Sequence, residues 1–276
     1  MIEILSYTFF QNALAGVTLV SVAAAIIGTY IVTRRMVFIT GGVTHACFGG
    51  LGLGYFLGVS PIMMAGAFAV VSSLGVEWLS TKQRVREDSA IGVTWALGMA
   101  LGTLFIFLTP GYVPELNSFL FGNVLTITRG DLAAFAIYLA ALLLVFALLY
   151  KPIIVCAFDR DYARTLGLPV AAVNCLMTVL VAICVVLTIR LIGIMLLMAL
   201  FTMPQMIAET FTRRFMPMAA ASAAASVACS VLGMAGSWLL GVPASVTVAL
   251  TLIAVYIITR AARAIGNKTG KKTFII

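Results

Sequence analysis

The sequence predicts an all-α fold, a polytopic transmembrane helical bundle of about nine spans with a short cytoplasmic helix between two of them. Three observations predict it. Of 276 residues 63% are hydrophobic and 9% charged, with a mean hydropathy of +1.16; an ordinary globular domain carries about 25% charged residues. Such a chain cannot make a soluble surface. A hydrocarbon core about 30 Å thick takes roughly 20 apolar residues per helix, so the length leaves room for about eight to ten spans. Finally, the basic residues sit in small clusters between apolar runs, where they act as topology signals. The formal charge of +8 therefore does not point to nucleic acid.

The spans fall near residues 10–33, 38–59, 61–80, 89–109, 131–150, 170–190, 193–212, 216–240 and 243–262. The start, MIEILSYTFFQNALAG, has no basic n-region and no small-residue cleavage site, so the first span is not a removable leader. The second begins directly after Arg34 and Arg35 and is glycine-rich. It reads either as a full span or as a re-entrant or broken helix, which would leave eight spans. Its row Ala46, Gly50, Gly54, Gly58 suits close helix packing. In the third, Glu77 lies near the inner end and is expected to snorkel toward water.

The outer loop 109–131 mixes Pro, Gly and aromatics and is expected to lie partly in the interface, with Tyr112 and the phenylalanines at headgroup level. The inner loop 151–170, KPIIVCAFDRDYARTLGLPV, contains a short helix. Asp159 is a good N-cap, residues 160–166 can make about two turns, Gly167 suits the left-handed position after them, and Pro169 prevents continuation. Both charge signs together with Tyr162 and Leu166 fit a solvated cap or a surface lying against a cytoplasmic partner. In the span 193–212, Pro204 frees a carbonyl and predicts a kink. Glu209 follows it, either as an acidic group on a gating helix or as the i,i+4 partner of Arg213.

With the N-terminus outside, 15 of the 17 basic residues fall on inner loops or the C-terminal tail 263–276, and only Arg129 and Arg190 stay outside. The positive-inside rule supports that orientation and a cytoplasmic C-terminus. The five cysteines form no C-x-x-C pair and read as small packing residues. The 13 methionines are spread through the spans and fit lipid or core contact better than a copper relay. His45 is the only histidine. Neutral imidazole ligates zinc and similar ions, and ionisable groups inside spans default to function, so His45 is the first candidate to face a permeation path. The alternative is a histidine hydrogen-bonded within the bundle.

Four stretches resemble the membrane permease subunits of bacterial ABC-type importers for zinc, manganese and iron. They are RRMVFITGGVTHACFGGLGLGYFLG (34–58), with a basic pair, a histidine and a glycine-rich helix; REDSAIGVTWALGMALG (86–102), an acidic then Ile-Gly entry to a span; ELNSFLFGNVLTITRGDL (115–132), with a Phe-Gly-x-x-Leu core; and FDRDYARTLGLPV (158–170), similar to the family's coupling helix. The last runs on to RLIGIMLLMALFTMPQMIAE (190–209), whose proline-centred span also matches. Their order and spacing extend the resemblance over nearly the whole chain, as a single permease domain.

The resemblance implies a homodimer in the bacterial cytoplasmic membrane that imports a divalent transition metal by alternating access, zinc first, with manganese or iron possible. It implies cytoplasmic ABC ATPase subunits docked on Asp159, Arg160, Asp161, Tyr162, Ala163, Arg164, Leu166 and Gly167, and an extracytoplasmic metal-binding protein. The chain has no G-x-x-x-x-G-K-[ST] loop, so ATP belongs to the partner subunit and no cofactor is expected to be held tightly here. In the family's manganese- and zinc-type members an aspartate lies one turn before the histidine; this chain has Gly41 there. That removes the hard anionic ligand and leaves His45 with Thr44 or Cys47 as a weak, transient site, joined along the pathway by Glu209. A proton-coupled secondary transporter using Glu209 and His45 is the competing reading, but it gives no reason for a capped helix in the long cytoplasmic loop. An intramembrane enzyme would need a reactive cluster that a single histidine does not supply.

Overall fold

The computed structural model describes residues 7–111, 122 and 124–268, and among them every regular element is a helix. The helices are α1 (Thr8–Thr33), α2 (Phe38–Leu57), α3 (Pro61–Thr81), α4 (Glu87–Leu108), α5 (Arg129–Phe158), α6 (Arg160–Thr165), α7 (Val170–Leu200), α8 (Met203–Glu209), α9 (Phe215–Leu240) and α10 (Ala244–Lys268), with a 3₁₀ turn at Val124–Thr126. Most of the outer loop, including Tyr112, and the end of the basic tail lie outside the described residues.

Among the described residues seven helical stretches are long and apolar enough to cross a membrane. The difference from the nine spans lies in two places. Val170–Glu209 counts as one stretch of 40 residues, although Gly193 breaks it with φ 77 and ψ 172, a backbone region open essentially to glycine alone. The second is α2. It is an unbroken helix of 20 residues, about 30 Å long, but with its glycines, threonines and histidine it is not among the seven stretches apolar enough to cross. That composition suits a helix whose neighbours are helices and not lipid.

Two compact units form, one from Met1–Val32, Leu120–Leu139 and Leu191–Ile276, the other from Thr33–Phe119 and Ala140–Arg190. In the second unit α2 packs on both α3 and α4. A methyl group on Gly98 would overlap the backbone of Ala46, and one on Gly102 the carbonyl of Phe48, so α2 and α4 meet backbone to backbone. Gly50 and Gly54 do the same against Met64 and Pro61 of α3, and Gly58 closes α2 in the left-handed conformation. In α5, Leu149 leaves helical geometry (φ −114, ψ 21) just ahead of Pro152. The proline has no N–H for the carbonyl one turn back, which accounts for the bend.

In the first unit α9 packs on α8 and α10. Gln205 donates through Nε2 to the Ala24 carbonyl at 2.8 Å, tying α8 to α1. Pro204 stands in the first turn of α8. It therefore starts a short helix, where its missing N–H costs nothing, and does not kink a long one as the sequence had suggested.

Candidate functional site

His45 stands mid-way along α2, half-buried. Its ring lies parallel to the Trp95 indole of α4, centroids 4.3 Å apart and planes 4° apart, with Phe48 at 6.0 Å. The glycine contacts between α2 and α4 bring the helices close enough for that stack. Its Nδ1 atom is buried and has no hydrogen-bond partner, and the buried Thr44 hydroxyl is in the same condition. A buried polar atom without a partner is costly, so His45 presents a donor atom that packing alone does not use.

The other residues expected near it fall differently. At about 100° per residue, Gly41 and His45 share one face of α2, Thr44 stands to the side, and Cys47 lies on the far face. The Cys47 thiol is buried and donates to the Val43 carbonyl at 3.1 Å. Among the described residues no three His, Cys, Asp or Glu side chains gather where they could hold a metal ion. As built, α2 offers one strong neutral ligand and a hydroxyl beside it.

Next to the start of α2 is a feature that sequence reading missed. Arg34, with a side chain 3% exposed, lies 3.7 Å from Glu77 of α3 and 3.7 Å from Glu87 of α4. Glu77 is thus held inside the unit, where snorkelling had been expected, and Thr81 donates a hydroxyl hydrogen bond to it at 3.3 Å. The Glu87 oxygen that faces Arg34 also accepts a 2.8 Å hydrogen bond from Arg160 of α6. The sequence marks Arg34 as a topology signal in a basic pair and Glu87 as the acidic entry to a span, without joining them.

The short helix α6 is built as its capping residues dictate. The Asp159 carboxylate accepts hydrogen bonds from the backbone N–H groups of Asp161 and Tyr162, each at 2.9 Å. Gly167 takes the left-handed conformation (φ 72), and Leu168 closes on the Ala163 carbonyl at 3.1 Å, which ends the helix as a glycine cap does. Ala163 is buried and Arg160 faces inward to Glu87, while Asp161, Tyr162, Arg164, Thr165 and Leu166 are exposed. Arg164 pairs with Asp161 at 2.9 Å on that outer face.

Glu209 belongs to the first unit, at the end of α8. It lines a cavity of about 390 Å³ with Thr210, Phe211, Thr212, Arg213, Arg214 and Arg263. Because α8 ends there, the i,i+4 relation to Arg213 does not exist, and among the described residues no ion pair joins the two. Arg263 donates to the Thr210 carbonyl instead.

The comparisons with known proteins follow the same lines. A family model described as the ABC 3 transport family matches residues 6–263. An uncharacterised membrane protein of Synechocystis sp. is 39% identical over 95% of this chain and 94% of its own length. The manganese transport system membrane protein MntC of Halalkalibacterium halodurans is 31% identical over 84% of this chain and 80% of its own. Among solved structures, PsaBC from Streptococcus pneumoniae in complex with a Fab is similar with a TM-score of 0.81 at 26% identity, covering 94% of this chain and 93% of that one.

Proposed function

The chain belongs to the ABC 3 transport family, and on that premise we propose that it is the membrane-spanning permease subunit of an ATP-driven importer of divalent transition metal. It is not itself an enzyme; hydrolysis is assigned to a separate ATPase subunit docked on the outer face of α6, and metal delivery to an extracytoplasmic binding protein. Two copies form the pore, with the C-terminus in the cytoplasm and the N-terminus outside.

The observation that carries the reading is the unused Nδ1 of His45 on a glycine-rich helix. A pore must let its ion go, and one imidazole with a neighbouring hydroxyl binds weakly enough to do so. Imidazole without a carboxylate suits zinc better than manganese, whereas the relative named above is a manganese system. We put zinc first on the ligand chemistry, then manganese or iron.

The test is gentle purification of the tagged chain from its native membrane with mass spectrometry of what accompanies it. A stoichiometric ATPase supports the reading. A chain that emerges alone and folded sinks it and favours a proton-coupled secondary carrier. In the same preparation Arg164→Glu should lose the ATPase, since it reverses the charge on the exposed face of α6. His45→Ala should keep the complex and lose metal uptake, and wild-type uptake in that variant would remove His45 from the pathway.

A further inference from the structure

We propose that Glu87, held between Arg34 and Arg160, is the tie through which movement of α6 passes to the α2–α4 pair carrying His45. The inference rests on the permease reading above. Its starting point is a difference between the two arginines that share one carboxylate oxygen. Arg34 is 3% exposed and also faces Glu77; a charge so enclosed cannot leave its partners cheaply. Arg160 and Glu87 are each 31% exposed, so their 2.8 Å contact can open to water and re-form at little cost. Arg34 is the fixed anchor and Arg160 the exchangeable partner.

What the tie would move is defined by packing. Glu87 opens α4, whose Gly98 and Gly102 lie against the backbone of α2, and Trp95, about two turns further on, is stacked on His45. Arg34 precedes α2 in the chain and joins it to α3 through Glu77. The three helices are thus fastened to one another by backbone contact and buried charge, whereas α6 is fastened to them through Arg160. Displacement of α6 either carries the group with it or breaks the Arg160–Glu87 contact. Arg160, Glu87 and Arg34 are positioning residues, since none of them touches the ion.

The experiment compares Arg160→Gln, Glu87→Gln, the double variant and Arg160→Lys in the complete transporter. Uptake of Zn²⁺ and Mn²⁺ is measured in cells, and ATP hydrolysis and subunit recovery in the purified complex. Each single glutamine variant should retain the ATPase and its hydrolysis yet take up metal about tenfold more slowly, within the range of typical coupling energies. The double variant should be no slower than Glu87→Gln alone, because that substitution already removes the Arg160 contact. Arg160→Lys should recover most of the uptake. If Glu87→Gln fails to fold, Arg160→Gln and Arg160→Lys decide the matter alone, being at the exposed edge. Wild-type uptake in Arg160→Gln, losses that multiply in the double variant, or departure of the ATPase from Arg160→Gln complexes would each overturn the tie. Absence of an ATPase from the wild-type preparation would instead mark failure of the permease reading.

Discussion

In the unit that carries His45, Arg34 is enclosed by Glu77 and Glu87 with 3% of its side chain exposed, whereas in the other unit Glu209, Arg213, Arg214 and Arg263 surround a cavity and, among the described residues, Glu209 pairs with none of them. The two sets have the same residue types. Burial separates them: a guanidinium removed from water needs carboxylates close by, while exposed charges are satisfied by solvent and gain little from pairing. A cluster of charge at a helix end is therefore a fastening in one place and a solvated surface in the other, and only the packing around it tells which.

The largest expected effect tests the fastening. Arg34→Gln leaves Glu77 and Glu87 without their buried cation and should cost about 3–5 kcal/mol, read as a fall in the detergent unfolding midpoint. A midpoint equal to wild type would show that the two carboxylates do not depend on Arg34 and would erase the contrast. Next comes the backbone of the first unit. Gly193→Ala forces a side chain into φ 77, ψ 172 and should cost about 1–3 kcal/mol. An unaltered melt would mean that the break in α7 can close without loss. The smallest effect sharpens the other side of the comparison. Glu209→Gln should leave the melting curve unshifted, as exposed substitutions commonly do, and loss of metal uptake in a normally folded Glu209→Gln protein would assign Glu209 to the pathway.

Much of the bundle was legible because membrane insertion and helix capping are local. Runs of apolar residues announce spans, and Asp159 and Gly167 mark the two ends of α6 from within its own sequence, where the carboxylate cap and the left-handed glycine are found. His45 stood out as the only histidine. What was not legible depends on distant partners. Arg160 and Glu87 are 73 positions apart, and nothing in either segment says that the other is its neighbour; the Trp95 stack on His45 is the same kind of fact. Two misreadings were local and avoidable. Cys47, two positions from His45, must fall on the opposite side of a helix, and Pro204 suits a first turn as readily as a kink. Hydropathy marks a division of this stretch near residues 190–193 but does not say that a single glycine, Gly193, makes it by leaving helical geometry.

The bend at Leu149 gives α6 a lever. From Leu149 to Phe158 the end of α5 extends about 14 Å at 1.5 Å per residue. A swing of about 10° about the bend would carry its tip, and the helix attached to it, by about 2 Å. That distance separates a closed Arg160–Glu87 contact at 2.8 Å from an open one, so a rotation of that size about the bend would release the linkage, and it would have to carry with it the packing of the buried Ile153 and Cys156.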